Sequence, residues 1–465
     1  MKSNRPPSPD RVERIRSHAA PAAAFGDPNK SRSEGTWDLY ADFEQPDRQG
    51  RERMPRNWAL SAVVLVAGLA CGACLSVRIP AETLAAAARL PTAAPGSVAV
   101  RLSEAEGRLD LELQGRLPDH RNGQSESQLR LIRDGNRVVA RYPDGTERRE
   151  PWLRIEPSES TGDVQFDGRR YRGLIFVEPR PAGGLRVTHH ADIEDYVRDV
   201  IAAEVPLWNA NPAELEVQAI AARSFAHATL SARSLDKSQP FLWDDQRDQV
   251  FRGRFQPTAA ESRRGLERLL ENAVQATQGQ VLTRSGRIAT ASFHASCGGR
   301  TSLRSHVFGG TDGASTWTRC NPCAGVPPDR QEPAPAWRWT ASPEQLSQVA
   351  QAFGLGDRLE SVRPTSIDIG GRWLVVELRG NRGTSTERFQ DLRRELGFDR
   401  LPSGVITHTW PSPGSPIEGG MYFEGRGHGH GIGLCQYGAH GYGELGWNSQ
   451  RILGHYYSGT EVQIR

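Results

Sequence analysis

The sequence predicts an α+β fold, on three observations that follow one another along the chain. Residues 97–190 alternate apolar and polar side chains between Asp-Gly, Gly-Asn and Gly-Gly pairs, which is typical of short strands joined by turns. Residues 192–277 place apolar side chains at helical spacing, and residues 425–439 carry glycine at almost every second position. We therefore expect a β-rich N-terminal part, central helices, an inserted α+β segment at 337–410, and a glycine-rich loop followed by C-terminal helices.

The first central helix is predicted between Asp192 and Glu204. Its apolar residues fall on one stripe, Asp192 is suited to the N-cap, and Pro206 ends the helix. At about 100° per residue, Glu204 lies within roughly 20° of Ile193 and Val197 on that stripe. A carboxylate on a buried face is unfavourable unless it stays protonated or finds a partner. Glu204 is therefore the first candidate functional residue.

Further elements follow in chain order. Asn211-Pro212 predicts the cap and first turn of a second helix, whose many alanines allow another backbone to come close. A third helix is predicted at 258–277, and residues 280–299 have the pattern of a hairpin that runs into a glycine turn. Residues 337–410 mix helical and strand patterns, which predicts the inserted α+β segment.

Length and composition are those of an ordinary globular protein with polar attachments. The chain has 465 residues, of which 37% are hydrophobic and 24% charged, and this length suffices for two or three domains. These proportions exclude a fully disordered chain. The net charge of +3 and the pI near 8.6 are too mild for nucleic-acid binding, so no nucleic-acid partner is expected.

An apolar run near the N-terminus predicts export. Residues 58–77 form an uncharged run of 20 residues, long enough to cross a bilayer, and three arginines lie just before it. One interpretation is a transmembrane helix or signal anchor between a disordered cytoplasmic tail at 1–57 and an Ala- and Pro-rich linker at 78–96. The other takes Met54 as the true start and the run as a signal peptide or a lipoprotein-like leader. Either way, residues 97–465 are expected outside the cytoplasm, in the periplasm or cell-wall space.

Seven short motifs give the chain a family resemblance. In order they are DYVRDVIAAEVP, VQAIAARSFA, DQVFRG, ATQGQVL, FHASCGGRT, GRGHGHGIGLCQYGA and ILGHYYSGT. This ordered set resembles the stage II sporulation protein D family, whose relatives include amidase enhancers. The resemblance covers 97–465 and implies a catalytic region with 97–190 as its β-rich part and 337–410 as its α+β insert.

The activity implied by the resemblance is lytic transglycosylation of peptidoglycan. That reaction cleaves between N-acetylmuramic acid and N-acetylglucosamine, preferably on strands without stem peptides, and forms 1,6-anhydromuramic ends. The family's catalytic Glu-Met-Pro motif corresponds to Glu204-Val205-Pro206 here, with valine in place of methionine. The helix pattern and the resemblance thus converge on Glu204, which would act first as acid and then as base.

Substrate-binding residues are predicted around the glycine run, where glycine is expected to admit a sugar ring. The predicted set comes from this run and from positions that match family motifs: Arg223, Gln249, Arg426, His430, Gln436 and Tyr437. His428 is interpreted as a residue that satisfies backbone groups. Arg223 lies in an Ala-rich helix and is equally compatible with a buried ion pair.

The exported part contains cysteines that suit either a metal or disulfides. His294-x-x-Cys297 followed by Cys320-x-x-Cys323 has the spacing of a four-ligand zinc site. Some members of the resembling family are associated with zinc, so a structural zinc is one interpretation, and catalysis itself requires no cofactor. The alternative is a disulfide between Cys297 and Cys320 or Cys323, which Cys435 would be able to join.

Two functions remain open at the level of sequence. The first is a membrane-tethered lytic transglycosylase that remodels the cell wall, in sporulation or another process, with glycan strands as substrate. The second is a non-catalytic glycan-binding protein that enhances an N-acetylmuramoyl-L-alanine amidase, as the enhancer relatives suggest. A metal-dependent hydrolase is disfavoured because no His-Glu-x-x-His motif is present.

Overall fold

The computed structural model describes most of the chain after the predicted linker, namely residues 91–118, 127–234, 240–257, 260–311, 313–324 and 336–465. The predicted tail at 1–57, the apolar run at 58–77 and most of the linker lie outside the described residues, so the expectations for them remain predictions. Within the described ranges, no helix combines the length and apolarity needed to cross a membrane.

The N-terminal part consists of strands, as its alternating pattern predicts. They are β1 (Ser97–Arg101), β2 (Asp110–Gly115), β3 (Ser127–Asp134), β4 (Arg137–Arg141), β5 (Glu147–Glu150), β6 (Leu153–Ile155), β7 (Val164–Phe166), β8 (Arg169–Tyr171), β9 (Leu174–Pro179) and β10 (Leu185–Asp192). One sheet has the order β5-β4-β3-β2-β7-β8. The other joins β1, β10, β9 and β6 to the later strand β11 (Leu242–Trp243), in the order β11-β1-β10-β9-β6.

The central helices are α1 (Ile193–Glu204), α2 (Pro212–Ser234) and α3 (Ala260–Ala276). Both predicted caps are confirmed, because the Asp192 side chain accepts from the Glu194 and Asp195 N–H groups, and Asn211 Oδ1 accepts from the Glu214 N–H at 3.0 Å. The α1 stripe packs on the N-terminal sheets through residues such as Val197.

Helix α2 is buried on opposite faces, which explains its small side chains. Leu215 and Ala222 belong to the core shared with the N-terminal sheets and α1. Val217 and Ile220 belong to a second core formed with the C-terminal elements. A helix that is apolar around most of its circumference is a central, buried helix, so α2 connects the two cores.

The elements after α3 begin with β12 (Gln280–Arg284), β13 (Arg287–Ile288), β14 (Phe293–His294) and α4 (Arg304–Val307), followed by the α+β segment: β15 (Ala336–Ala341), α5 (Pro343–Ala352), β16 (Leu359–Ile367), β17 (Trp373–Gly380), β18 (Gly383–Arg388), α6 (Phe389–Leu396), β19 (Val405–Trp410) and β20 (Met421–Arg426). The α+β class is confirmed. The sheet β15-β20-β19 includes residues beyond 410, because β20 lies between the two strands at the ends of the predicted insert.

The C-terminal elements are β21 (Leu434–Cys435), α7 (Gln436–Glu444), α8 (Ser449–Tyr456) and β22 (Glu461–Ile464). The predicted C-terminal helices are present as α7 and α8, whereas β22 was not predicted. It pairs antiparallel with β12, and β21 pairs in parallel with β14, with Cys435 opposite His294. These pairings fix the glycine run against the earlier hairpin region.

Candidate active site

Glu204 is the last residue of α1, and the groups that hydrogen-bond to its carboxylate are neutral. The Val250 N–H donates to Oε1 at 2.7 Å, and the Gln436 side-chain amide also donates to the carboxylate. Burial raises the pKa of Glu204 from 4.5 to about 7, against the lowering effects of these donors and of the positive charge of Arg252. Glu204 as a residue is half-buried, and a pKa of about 7 leaves its carboxyl group substantially protonated near neutral pH.

Gln249 positions the loop that supplies the Val250 N–H. It is 1% exposed, its Oε1 accepts from the Tyr196 hydroxyl at 2.9 Å, and its Nε2 donates to the Ala222 carbonyl at 3.4 Å. Both ends of the Gln249 amide are thus used inside the protein, and a substrate contact of Gln249 stays a prediction. Through these two hydrogen bonds Gln249 fixes the loop to Tyr196 of α1 and Ala222 of α2. The next residue, Val250, is thereby held against Glu204.

Gln436 approaches Glu204 from the first turn of α7. It is 6% exposed, and its Nε2 lies 3.4 Å from Oε1 of Gln218 on α2. Gln218, which is 1% exposed, was not among the predicted site residues, although a buried amide in an Ala-rich helix is a signal that was available in the sequence. The α2–α7 contact thus aims the Gln436 amide at the carboxylate.

Arg223 lies on α2, beside the N-terminal end of α1 and away from Glu204. There it forms an ion pair with Glu194. It is 1% exposed, its Nε donates to Glu194 Oε1 at 3.0 Å, and its Nη1 donates to the Gln280 carbonyl at 3.0 Å. The Arg223 guanidinium is thus buried and occupied by protein acceptors, and a substrate contact of this residue stays a prediction. The alternative interpretation, a buried ion pair, is confirmed.

The glycines of the run make room for the protein itself. Gly431 and Gly433 have φ values of 81° and 70°, in the left-handed region that glycine favours. A Cβ on Gly431 would lie 2.1 Å from the Arg372 guanidinium, and one on Gly433 would lie 2.0 Å from the Ser292 carbonyl oxygen. At these two positions the missing side chain makes room for protein groups, and the expectation that glycine admits a sugar ring stays a prediction.

The other predicted ligands of the run lie in different surroundings. His430 Nδ1 accepts the Ile432 N–H at 3.0 Å, its ring centroid lies 5.4 Å from that of His294, and burial holds its pKa well below the usual range. Arg426 is exposed at the end of β20, and the Tyr437 N–H donates to the Ala295 carbonyl at 2.9 Å. Substrate contacts of these three side chains remain predictions.

A second cluster consists of cysteines. The Sγ atoms of Cys297, Cys320, Cys323 and Cys435 lie within 4.8 Å of one another, and all four residues are buried as free thiols. The Sγ atoms of Cys323 and Cys435 are 3.3 Å apart, against about 2.05 Å in a disulfide. The geometry therefore presents four sulfur ligands around one point.

His294 is not part of this cluster, which corrects the predicted ligand set. Its Nδ1 lies 3.1 Å from the Ile432 carbonyl oxygen. The parallel pairing of β14 with β21 brings Cys435 to the hairpin region, so Cys435 completes the group in place of His294. Cys435 also precedes Gln436 directly, and its Sγ accepts from the Gly438 N–H at 3.3 Å. The thiol cluster and the amide at Glu204 are therefore neighbours on one segment.

Comparison with known proteins places this site in a family context. Residues 182–284, which include α1 and α2, match the family model described as Stage II sporulation protein. Similar proteins include an uncharacterized protein of Brachyspira hyodysenteriae, 28% identical over 314 residues that make up 65% of this chain and 75% of that protein. The Stage II sporulation protein D of Bacillus amyloliquefaciens is 26% identical over 320 residues, 66% of this chain and 86% of that protein. An amidase enhancer of Bacillus subtilis is 24% identical over 357 residues, 67% of this chain and 46% of that protein.

Proposed function

We propose, from the premise that this chain belongs with the stage II sporulation protein D family, that it is a lytic transglycosylase of peptidoglycan. Its substrate would be glycan strands without stem peptides, and its products would carry 1,6-anhydromuramic ends. The observation that supports this most is the partly exposed Glu204, whose pKa is raised to about 7. A single carboxyl group that is protonated near neutral pH is what this reaction needs.

The mechanism begins with Glu204 as acid. Its proton passes to the glycosidic oxygen as the bond between C1 of N-acetylmuramic acid and that oxygen breaks, so N-acetylglucosamine leaves as an alcohol. Positive charge develops at C1 and the ring oxygen, while Glu204 is now a carboxylate. The Val250 N–H at 2.7 Å and the Gln436 amide stabilise that carboxylate.

In the second step Glu204 acts as base. It takes the proton of the 6-hydroxyl of N-acetylmuramic acid, whose oxygen attacks C1 and closes the 1,6-anhydro ring. The attacking hydroxyl belongs to the substrate, so a second carboxylate to activate water is not required. Glu204 ends protonated, ready for the next bond, and no water is consumed.

The test is mass spectrometry of amidase-treated glycan strands after incubation with the full chain, wild type beside Glu204→Gln. Anhydromuramic products from the wild type and not from the variant are the expected result. Glycan binding by both proteins without such products would overturn the enzyme proposal. It would favour the alternative, a glycan-binding enhancer of a cell-wall amidase, which the name of the Bacillus subtilis relative, amidase enhancer, supports.

We also propose that the thiol cluster holds a structural zinc ion. Four sulfur ligands at about 2.3 Å from zinc lie roughly 3.7 Å from one another, which fits Sγ atoms within 4.8 Å. The buried Arg372 supports this assignment, because its Nη2 donates to the Cys297 carbonyl at 3.1 Å and its charge acts on Cys297 and Cys435. When bound, zinc would cross-link the hairpin region, the 320–323 turn and β21, leaving no open position for water.

Metal analysis together with thiol titration tests this assignment. One zinc per chain, with four thiols that react only after chelation, is the expected result. Thiols that are already oxidised in the metal-free protein would overturn it in favour of disulfides. Cys320→Ser should lower both zinc content and the thermal midpoint, whereas Ser412→Ala, a change at an exposed serine, should alter neither.

The proposed substrate requires the body of the protein to lie outside the cytoplasm. The apolar run at 58–77 supports a membrane anchor with 97–465 in the periplasm or cell-wall space. Protease treatment of intact cells whose wall or outer membrane has been opened tests this location. Degradation of the body with retention of an N-terminal cytoplasmic tag is expected, and full protection would contradict it.

A further inference from the structure

Trp208 is an exposed aromatic residue close to the candidate catalytic carboxyl group. It is the fourth residue after Glu204, and it is 69% exposed. Trp is a large, amphipathic side chain that is highly buried on average, and it is enriched at binding surfaces. An indole that is this accessible, at this position in the chain, suggests a surface for a ligand that reaches Glu204.

The segment that carries Trp208 is fixed on both sides. Val205 and Leu207 are 2% and 8% exposed and pack into the core with α1 and α2. Residues Leu207–Asn209 form a 3-10 turn. After it, Asn211 Nδ2 donates to the His440 carbonyl at 3.1 Å, in the same helix that begins with Gln436. Trp208 therefore projects from a segment tied to both elements that build the site.

Its distance from Glu204 is limited by the chain. Four residues span at most about 14 Å when fully extended, and the 3-10 turn shortens that span because it rises only about 2.0 Å per residue. A polysaccharide bound at Glu204 extends in both directions from the scissile bond. The indole thus lies within reach of a sugar near the one that reacts.

We propose that Trp208 is a stacking platform for a pyranose ring of the glycan strand, close to the bond that Glu204 cleaves. The C–H groups on the face of a pyranose are apolar and slightly positive, so they pack against the electron-rich face of an indole, while the hydroxyl groups at the ring edge stay hydrated. This inference deepens the proposed function and rests on it. Trp208 would bind substrate and would take no part in the proton transfers.

Trp410 provides a matched control. It is also 69% exposed, but it ends β19, where it pairs with Tyr422 on the three-stranded sheet of the α+β segment. Exposure alone is therefore equal for the two indoles, and their chain positions relative to Glu204 differ. Substituting either exposed side chain should leave the thermal midpoint nearly unchanged, which removes misfolding as an explanation.

The experiment measures binding in the full chain carrying Glu204→Gln, so that no cleavage interferes. Peptide-free glycan strands are titrated against this parent and against the parent with Trp208→Ala, Trp208→Phe or Trp410→Ala. We expect Trp208→Ala to weaken binding about tenfold, Trp208→Phe to weaken it less, and Trp410→Ala to change it less than about twofold. Glycan should also change the tryptophan fluorescence of the parent and not that of Trp208→Ala.

The outcomes separate this inference from the function on which it rests. Equal binding by the parent and Trp208→Ala would overturn the stacking platform while leaving the enzyme proposal intact. Weakened binding by Trp208→Ala, with no anhydromuramic products from the wild type, would retain the platform and overturn the enzyme. A parent that binds no glycan, together with a wild type that forms no anhydromuramic products, would overturn both. In an active wild type, Trp208→Ala should raise KM with kcat nearly unchanged.

Discussion

Helix α1 carries a glutamate at each end, and the two have different surroundings. Glu194, in the first turn, receives the Arg223 Nε at 3.0 Å and the Gly279 N–H at 3.1 Å. Glu204, in the last turn, receives the Val250 N–H and the neutral amide of Gln436. A guanidinium thus neutralises one carboxylate, while neutral donors hold the other.

The helix itself adds to this difference. The N-terminus of a helix is partially positive and stabilises an anion, whereas the C-terminus is partially negative and disfavours one. Glu194 therefore has both a cation and the favourable end of the helix, as a structural ion pair does. Glu204 has burial and the unfavourable end, and its pKa rises to about 7. The comparison teaches that the charge of the hydrogen-bonding partner decides the role of a half-buried carboxylate. Beside a guanidinium it forms a stabilising ion pair, and beside neutral donors it is available for proton transfer.

The largest expected effect separates the two residues by activity. Glu204→Gln should lower anhydromuramic product formation by about 10² to 10⁴-fold, because the amide is unable to donate or accept the transferred proton. Glu194→Gln, the same chemical change at the other end of α1, should keep its activity per folded molecule within a few-fold of wild type. Rates on amidase-treated strands, corrected for folded fraction, check this. Equal losses in the two variants would remove the distinction.

The next effect is on stability at the paired end. Arg223→Met should lower the free energy of unfolding by about 3 kcal/mol, because it leaves Glu194 without its cation in a mostly buried setting. Denaturant unfolding measures the loss. Arg223→Met combined with Glu194→Gln should recover part of it, since the uncompensated charge is then gone. A single variant within about 0.5 kcal/mol of wild type would show that the ion pair contributes little.

These residues also show how much of the site was readable in the sequence. The caps at Asp192 and Asn211 and the placement of Glu204 on the α1 stripe depend on residues a few positions apart, so local spacing predicted them. The α+β class followed from the same short-range patterns. A raised pKa for Glu204 was predicted as well, because a buried helix face is visible in its periodicity.

The remaining features depend on contacts between distant parts of the chain. The Val250 N–H is a backbone group, which no residue type identifies, and it meets Glu204 only after the intervening chain has folded back. The Cys297 N–H donates to the Sγ of Cys435, although Cys435 lies 138 residues later in the chain. Local His-x-x-Cys spacing does not detect such a distant residue, so it favoured His294 as the fourth ligand. Arg223 matched a motif, and a motif marks a required residue without saying whether it binds a substrate or a glutamate.

A smaller effect concerns stability against pH at the two ends of α1. Burial raises the folded-state pKa of Glu204 from 4.5 to about 7, so the folded protein binds more protons than the unfolded chain between these values. The protonated Glu204 side chain therefore contributes to the free energy of unfolding below pH 4.5, and this contribution is lost as pH rises through 7. Glu204→Gln should therefore be more stable than wild type at pH 8 by about 2 kcal/mol, a figure reduced for the partial exposure of the side chain.

Thermal or denaturant unfolding at pH 4.5 and pH 8 checks this prediction. The stabilising effect of Glu204→Gln should be present at pH 8 and much smaller at pH 4.5, where the wild-type carboxyl group is protonated in the folded state and half protonated in the unfolded chain. Glu194→Gln should have the opposite sign at pH 8, because it removes an ion pair. Two variants that are both destabilised at pH 8 would contradict the contrast between the two ends.

The smallest expected effect concerns the amide that faces Glu204. The Gln436 donor favours the charged carboxylate and so lowers its pKa. Gln436→Met keeps the size of the side chain and removes the donor, and the pKa should therefore rise above about 7. Because cleavage needs the protonated acid, the descending alkaline limb of the pH–rate profile should move to higher pH by up to about one unit.

Gln218→Met serves as the control for this shift. It removes the acceptor that orients Gln436 at 3.4 Å and leaves the donor itself in place, so a smaller shift in the same direction is expected. If the alkaline limb of the pH–rate profile of Gln436→Met stays in place or moves to lower pH, the Gln436 amide does not lower the pKa of Glu204. The Val250 N–H would then be the main group that lowers the pKa, and the difference between the two ends of α1 would depend chiefly on burial and on the helix dipole.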